Sequence, residues 1–350
     1  MGDMPVSTTA AVDSGAINTT RPSGSRAGRG VRVANSTQTG SGLRWPAHSA
    51  FGIRVVRRQQ GCFMSTLQIR ELLPSFGAEV SGLEPAERLD DETCAELQRL
   101  FAERELLLFR GLDADRHFQT YLCEMLRTQG QPDPAVVDHN TARHESFYIS
   151  NTRDQAAAPF GELNYHSDAM WSSVPYDVLS LWAEEVEPPV IPTRYVSVTH
   201  AWDTLPADLR ARVEGKSVVQ TNQTQVRGDN EDRLLIAGRD ERTTTTPIGH
   251  RNPRSGRTML YVCSMMTSKV VGLPDDESEQ LLEELFVHIN NPAGTWQHDW
   301  SDGDLVIWDN LAVQHARDDV AADGPVRTLR KATSPETPVG VVEQTYATQR

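Results

Sequence analysis

Apolar residues recur at helical spacing in three stretches. Over residues 91–104, Leu97, Leu100 and Phe101 share one side, and Asp90 and Asp91 stand ahead of them as cap candidates. Over residues 114–127, Phe118, Leu122 and Met125 share one face. Over residues 275–290, Asp275 and Asp276 lead a stripe of Leu281, Leu282, Leu285, Phe286 and Ile289. Shorter apolar runs bounded by turn residues read as strands. These are the run after Met64, Leu106 to Phe109 before Arg110-Gly111, residues 176–186, residues 258–263, and Asp304 to Asp309 behind the Asp302-Gly303 turn. Strands with a few inserted helices predict an α+β chain built on an antiparallel sheet or barrel. Residues 220–246 are polar and rich in Thr, Arg and Asp, and read as one long loop, of a length typical of lids or unstructured segments.

Composition changes this picture at the N-terminal end. Residues 1–63 have no apolar period and are rich in Ser, Thr, Gly, Ala and Arg, so they cannot bury enough surface to offset their ordering entropy. They carry eight arginines against Asp3 and Asp13, a balance of +6, while residues 64–350 stand at −20. A transit peptide, a disordered tail and an upstream extension of the reading frame, with the start at Met64, all fit. The abrupt onset of pattern at Met64 favours the last. A chain this acidic from Met64 onward is a poor partner for nucleic acid. No run of 18 apolar residues predicts a membrane span. The four cysteines (Cys62, Cys94, Cys123, Cys263) form no C-x-x-C pair, which argues against a disulfide framework and suits the reducing cytoplasm.

The chemistry concentrates in two segments. His166 and Asp168 are two apart, so on an extended strand both point to one side and can reach one metal ion. Alone, such a pair is weak evidence. A second imidazole, His315, follows Trp308-Asp309-Asn310, and Arg327 stands twelve residues beyond it. Two His and one carboxylate on one face of an octahedral iron leave three positions open. A guanidinium nearby supplies the planar fork that a dicarboxylate co-substrate needs.

These motifs, with Gly77-Ala78-Glu79-Val80-Ser81-Gly82 and Leu108-Phe109-Arg110, resemble the taurine dioxygenase and 2,4-dichlorophenoxyacetate dioxygenase family over nearly all of residues 64–335. The resemblance implies a double-stranded β-helix (jelly-roll) core with flanking helices and inserted loops. It implies Fe(II) held by His166, Asp168 and His315, 2-oxoglutarate held by Arg327 and Thr193, and O2 as oxidant. The activity implied is oxidation of a substrate C–H bond, with release of succinate and CO2. Related halogenases carry a small residue where Asp168 stands, so the carboxylate argues against halogenation. The partners implied are small molecules, and a homo-oligomer is in keeping with the family's dimers and larger assemblies.

Departures from the family pattern bear on the substrate. The position of the taurine enzyme's sulfonate arginine is Lys331, with Arg330 beside it as an alternative, and the position of its substrate asparagine is Glu162. The family's substrate loop falls near residues 131–140, where His139 is the candidate. Trp171 could line the pocket or pack in the core. Taurine is therefore not the expected substrate, and a larger organic acid or amino-acid-like molecule is. Two other readings stay open. A zinc-dependent hydrolase would want further His or Asp ligands and no role for Arg327. An inactive binding barrel would be expected to have lost a ligand.

Overall fold

A computed structural model describes residues 54–55, 67–127, 148–153, 156–222, 235–237, 242–334 and 345–347. All of them lie in the unit Ala50–Arg350. An eight-stranded sheet contains β1 (Arg54–Val55), β2 (Gln68–Glu71), β3 (Ala78–Ser81), β4 (Leu106–Phe109), β5 (Tyr148–Ser150), β7 (Val178–Val186), β16 (Leu305–Asp309) and β18 (Arg327–Ser334). Its order is β1-β2-β3-β4-β16-β7-β18-β5. A four-stranded sheet contains β6 (Gly161–His166), β8 (Thr193–Ser197), β15 (Thr295–His298) and β17 (Val313–Val320), in the order β15-β8-β17-β6. Smaller groups hold the other described strands. They are a three-stranded sheet of β9 (Ser217–Thr221), β11 (Thr243–Pro247) and β14 (Thr267–Val270), the pair β12 (Gly249–Arg251) and β13 (Thr258–Leu260), and the pair β10 (Leu235–Ala237) and β19 (Thr345–Ala347).

The period of two along the central strands splits the core in half. Leu106, Leu108, Val306 and Trp308 point to one side of the large sheet, where Trp308 meets Tyr195 of the small sheet edge-on at 5.3 Å between centroids. Leu107, Phe109, Leu305 and Ile307 point to the other side, where α1 (Asp91–Arg104) and α2 (Arg116–Met125) cover them with Leu97, Phe101, Tyr121 and Leu122. Each Leu or Phe buried there contributes roughly 1.5–3 kcal/mol. Asp90 caps α1 by accepting from Thr93 N at 2.8 Å, and Asp115 caps α2 by accepting from Phe118 N at 2.7 Å. The remaining helices, α3 (Val198–Asp203), α4 (Ala207–Val213) and α5 (Asp275–Ile289), pack on the core between the sheets, α5 through the expected leucine stripe. Among the described residues no helix is long and apolar enough to cross a membrane.

Three expectations need adjusting. The strand expected over 258–263 ends at Leu260, although Tyr261 to Cys263 stay buried. The polar stretch 220–246 is not one loop, because Thr243 to Thr246 pair with β9 (residues 223–234 and 238–241 lie outside the described residues). Upstream of Met64, Arg54 and Val55 of β1 lie in the stretch that composition leaves out of the core, yet they pair with Ile69 and Gln68 of β2.

Glu105, at the end of α1, is left-handed (φ 64) and 2% exposed. It accepts from Ser197 Oγ at 2.6 Å and from Arg257 Nη1 at 3.1 Å. Burial nevertheless outweighs these bonds and raises its carboxyl from the ordinary 4.5 to about 7. Between those values the unfolded chain loses its proton before the folded chain does, so stability falls as pH rises through this window and levels off above it. At about 1.4 kcal/mol per pH unit, native protein should lose on the order of 3 kcal/mol relative to Glu105→Gln between about pH 4.5 and pH 7. Urea titrations of both proteins across this range test it, and a constant difference would refute it.

Candidate active site

His166 is the last residue of β6, and Asp168 lies in the turn that follows it. The i, i+2 spacing predicts both on one strand. The turn, with Ala169 at φ 55, brings the carboxylate back to the imidazole by another route. His315, on β17, is the direct cross-strand partner of His166, and the two ring centroids are 4.3 Å apart. Asp168 Oδ1 lies 3.1 Å from His166 Nε2 and 3.9 Å from His315 Nε2. One donor atom from each of the three residues lies within 4.8 Å of the others. Among the described residues no other group of three or more His, Cys, Asp or Glu is placed to share an ion.

The protonation pattern suits metal ligation. His166 Nδ1 lies 2.7 Å from the Asn164 carbonyl, which can only accept. The ring proton therefore sits on Nδ1, and the Nε2 lone pair faces Asp168 and His315. Burial pushes His315 well below the ordinary imidazole range, which keeps it neutral. Burial alone would raise the Asp168 carboxyl. The ammonium of Lys331, which ion-pairs with Oδ2, overcomes it and holds the group well below the usual carboxylate range.

The Trp308-Asp309-Asn310 motif builds the frame. Trp308 is core. Asp309 accepts from Leu311 N at 3.0 Å and Ala312 N at 3.2 Å, which turns the chain from the large sheet into the small one. Asn310 clamps the Asp168 backbone, accepting from its N–H and donating to its carbonyl, both at 2.9 Å. It also donates to the Tyr176 carbonyl at 3.0 Å. Asn310→Ala should weaken Fe(II) binding about 10- to 100-fold, the usual effect of losing a residue that orients a ligand. Calorimetric titration with Fe(II) under nitrogen reads this, and unchanged affinity would remove the role.

Beside the triad, Arg327 opens β18 and is 4% exposed. Its Nε donates to the Ile191 carbonyl at 3.1 Å and its Nη2 to Thr193 Oγ1 at 3.0 Å. Trp300 Nε1 donates to the same hydroxyl at 2.9 Å. Nη1 of Arg327 is buried without a hydrogen-bond partner, and burial lowers the guanidinium to about 10. A buried cation aimed at no acceptor fits a carboxylate co-substrate.

Several expected neighbours fall elsewhere. Arg330 points to the opposite side of β18, donating to Gln119 Oε1 at 2.8 Å and to the Ala114 carbonyl, with Trp182 against its guanidinium. It therefore cannot replace Lys331. Arg317 is 3% exposed. Trp171 is buried in the core between the sheets, and Glu162 is half-buried on β6. His139 lies outside the described residues. Sequence reading gave Asn310 and Arg317 no firm part. The position of Arg317 two residues after His315 on one strand was the available signal.

A His, Asp, His triad between two packed sheets, next to a buried unpaired arginine, defines a metal-dependent oxygenase of the 2-oxoglutarate kind, a class that works with Fe(II), 2-oxoglutarate and O2. The chain belongs to the taurine catabolism dioxygenase TauD, TfdA family, whose model matches residues 68–333, about three quarters of the sequence. It is 28% identical over 280 residues to the alpha-ketoglutarate-dependent 2,4-dichlorophenoxyacetate dioxygenase of Cupriavidus pinatubonensis, covering 75% of this chain and 96% of that one. It is 26% identical over 268 residues to pentalenolactone F synthase of Streptomyces avermitilis, covering 69% and 86%. In fold it is similar to a taurine dioxygenase from Burkholderia xenovorans, with a TM-score of 0.61 at 23% identity over 76% of this chain and 90% of that chain.

Proposed function

We propose that this protein uses Fe(II), 2-oxoglutarate and O2 to hydroxylate a C–H bond of a small carboxylate- or amino-acid-like molecule, releasing succinate and CO2. The observation that carries the reading is the buried, unpartnered Nη1 of Arg327 beside the three clustered donor atoms. His166, Asp168 and His315 are the iron ligands, and Arg327 with Thr193 holds the distal carboxylate of 2-oxoglutarate. Iron bound there supplies the O2-activating chemistry, with 2-oxoglutarate as the source of electrons. The chain's own part is positioning. Asn164 fixes the His166 tautomer, Asn310 fixes the Asp168 turn, and Tyr195 and Trp308 pack against His315 and keep water from its buried side. The two facing sheets are a jelly-roll core, and the catalytic unit comprises residues 64–350 with β1 added at a sheet edge, in the cytoplasm.

The substrate side is read from Lys331 and Glu162. Lys331 shares its strand side with Arg327 and meets Asp168, so its ammonium lies next to the iron ligands. An anionic group on the substrate is the natural partner for such a cation. The relatives named for 2,4-dichlorophenoxyacetate and phenoxypropionate act on molecules that carry a carboxylate. Glu162 favours an amine or hydroxyl and disfavours a sulfonate. The test is a panel of small acids, amino acids and neutral analogues, scored by succinate formed. At least one carboxylate should raise succinate release well above the substrate-free rate. Stimulation by neutral compounds alone would overturn the substrate class.

A further inference from the structure

Arg317 is unexplained by the site as described so far. It lies on β17 two residues past His315, and its cross-strand partner on β8 is Thr193, the residue that accepts from Arg327. The two arginines therefore flank one hydroxyl, on the same side of the sheet as the triad. Arg317 Nη2 donates to the Ala158 carbonyl at 2.7 Å and the Phe160 carbonyl at 3.0 Å, and its Nε is buried with no hydrogen-bond partner. Among the described residues neither Arg317 nor Arg327 has a carboxylate at ion-pair distance. Only the more distant charge of Asp319 favours Arg317, and that of Arg327 opposes it. Two buried guanidinium groups flanking Thr193 without an acid are costly, and each leaves one nitrogen without a hydrogen-bond partner. Ordinary packing does not require this, since an apolar residue at 317 would avoid the cost.

We propose that Arg317 is a second arginine of the co-substrate site, and that Arg317 Nε and Arg327 Nη1 together take the distal carboxylate of the 2-oxo acid. The inference rests on the dioxygenase reading above and adds a binding residue to it. A carboxylate has acceptor sites for both donors and supplies the negative charge that the pair lacks. The site thereby selects a 2-oxo dicarboxylate over a 2-oxo monocarboxylate more strongly than a single arginine would.

The test is calorimetric titration of anaerobic Fe(II)-loaded protein with 2-oxoglutarate and with 2-oxopentanoate, which has a methyl group in place of the distal carboxylate. Arg317→Gln should weaken 2-oxoglutarate binding about 10- to 100-fold, the range for losing one charge-assisted hydrogen bond. Binding of 2-oxopentanoate should change by less than about threefold, because its Fe(II)-binding end is untouched. Arg317→Lys keeps a cation and most of the packing, so its loss should be intermediate, and it decides the matter if the glutamine variant does not fold. Unchanged 2-oxoglutarate affinity in the variants would overturn the proposal. So would an equal loss for both ligands, which would make Arg317 a support for the 158–160 carbonyls and nothing more. Native protein that binds neither ligand would overturn the dioxygenase reading itself, and this inference with it.

Discussion

Asp168→Asn should cost about 10³-fold or more in kcat/KM, some 4 kcal/mol of transition-state stabilisation, and should take Fe(II) binding down with it. Asn keeps the size of the side chain, and the Asn310 clamp holds the backbone at 168, so the turn should survive. What disappears is the one negative donor among the three. Two neutral imidazoles would then share the site with the Lys331 ammonium, which loses its counter-ion at Asp168 Oδ2. A cation left beside a divalent ion opposes its binding, so the loss exceeds that of a ligand bond alone. Fe(II) titration together with circular dichroism separates this from unfolding. Native-like Fe(II) affinity in a folded Asp168→Asn protein would remove Asp168 from the metal site.

The second large effect is at Arg327. Arg327→Gln should raise the KM for 2-oxoglutarate and weaken its binding about 10²- to 10³-fold, in line with the loss of one partner from a buried charge pair. Fe(II) affinity should barely change, because Arg327 hydrogen-bonds to Thr193 and Ile191 and to none of His166, Asp168 and His315. Arg327→Lys should recover only part of the loss, since an ammonium carries the charge without the fork. Saturation kinetics in 2-oxoglutarate alongside Fe(II) titration read the split. A drop in Fe(II) affinity as large as the drop in 2-oxoglutarate affinity would mean that Arg327 supports the fold and not the co-substrate.

Much of the frame was legible from the pattern of apolar residues. The runs 106–109 and 304–309 became neighbouring central strands because every position in them is buried on one side or the other. The helix at 91–104 was visible because cap and stripe agree, and the one at 275–290 because acidic residues in its first turn lead a continuous stripe. Failures have equally local causes. Thr243 to Thr246 show no apolar alternation, so the pattern is blind to them, although four β-branched residues in a row are a strand signal. The run 258–263 is apolar because it is buried, not because it is all ladder.

At the site, residue identity was easier to read than direction. Spacing and resemblance point to the three donors and Arg327, yet they put Arg330 beside Lys331 when the period of two sets the two on opposite sides of β18. The same rule applied to β17 would have turned Arg317 inward with His315. Asn310 shows the limit of sequence reading, because its clamp on Asp168 spans 142 positions of chain and leaves no local signal.

The most direct measurement is the visible spectrum of the anaerobic protein after addition of Fe(II) and then 2-oxoglutarate. A 2-oxo acid chelated to Fe(II) gives a weak metal-to-ligand charge-transfer band. The band should appear with the native chain, fail to form with Asp168→Asn, and need far more 2-oxoglutarate with Arg327→Gln. No band with the native chain, together with an Arg327→Gln protein that behaves identically, would contradict the assignment of this site.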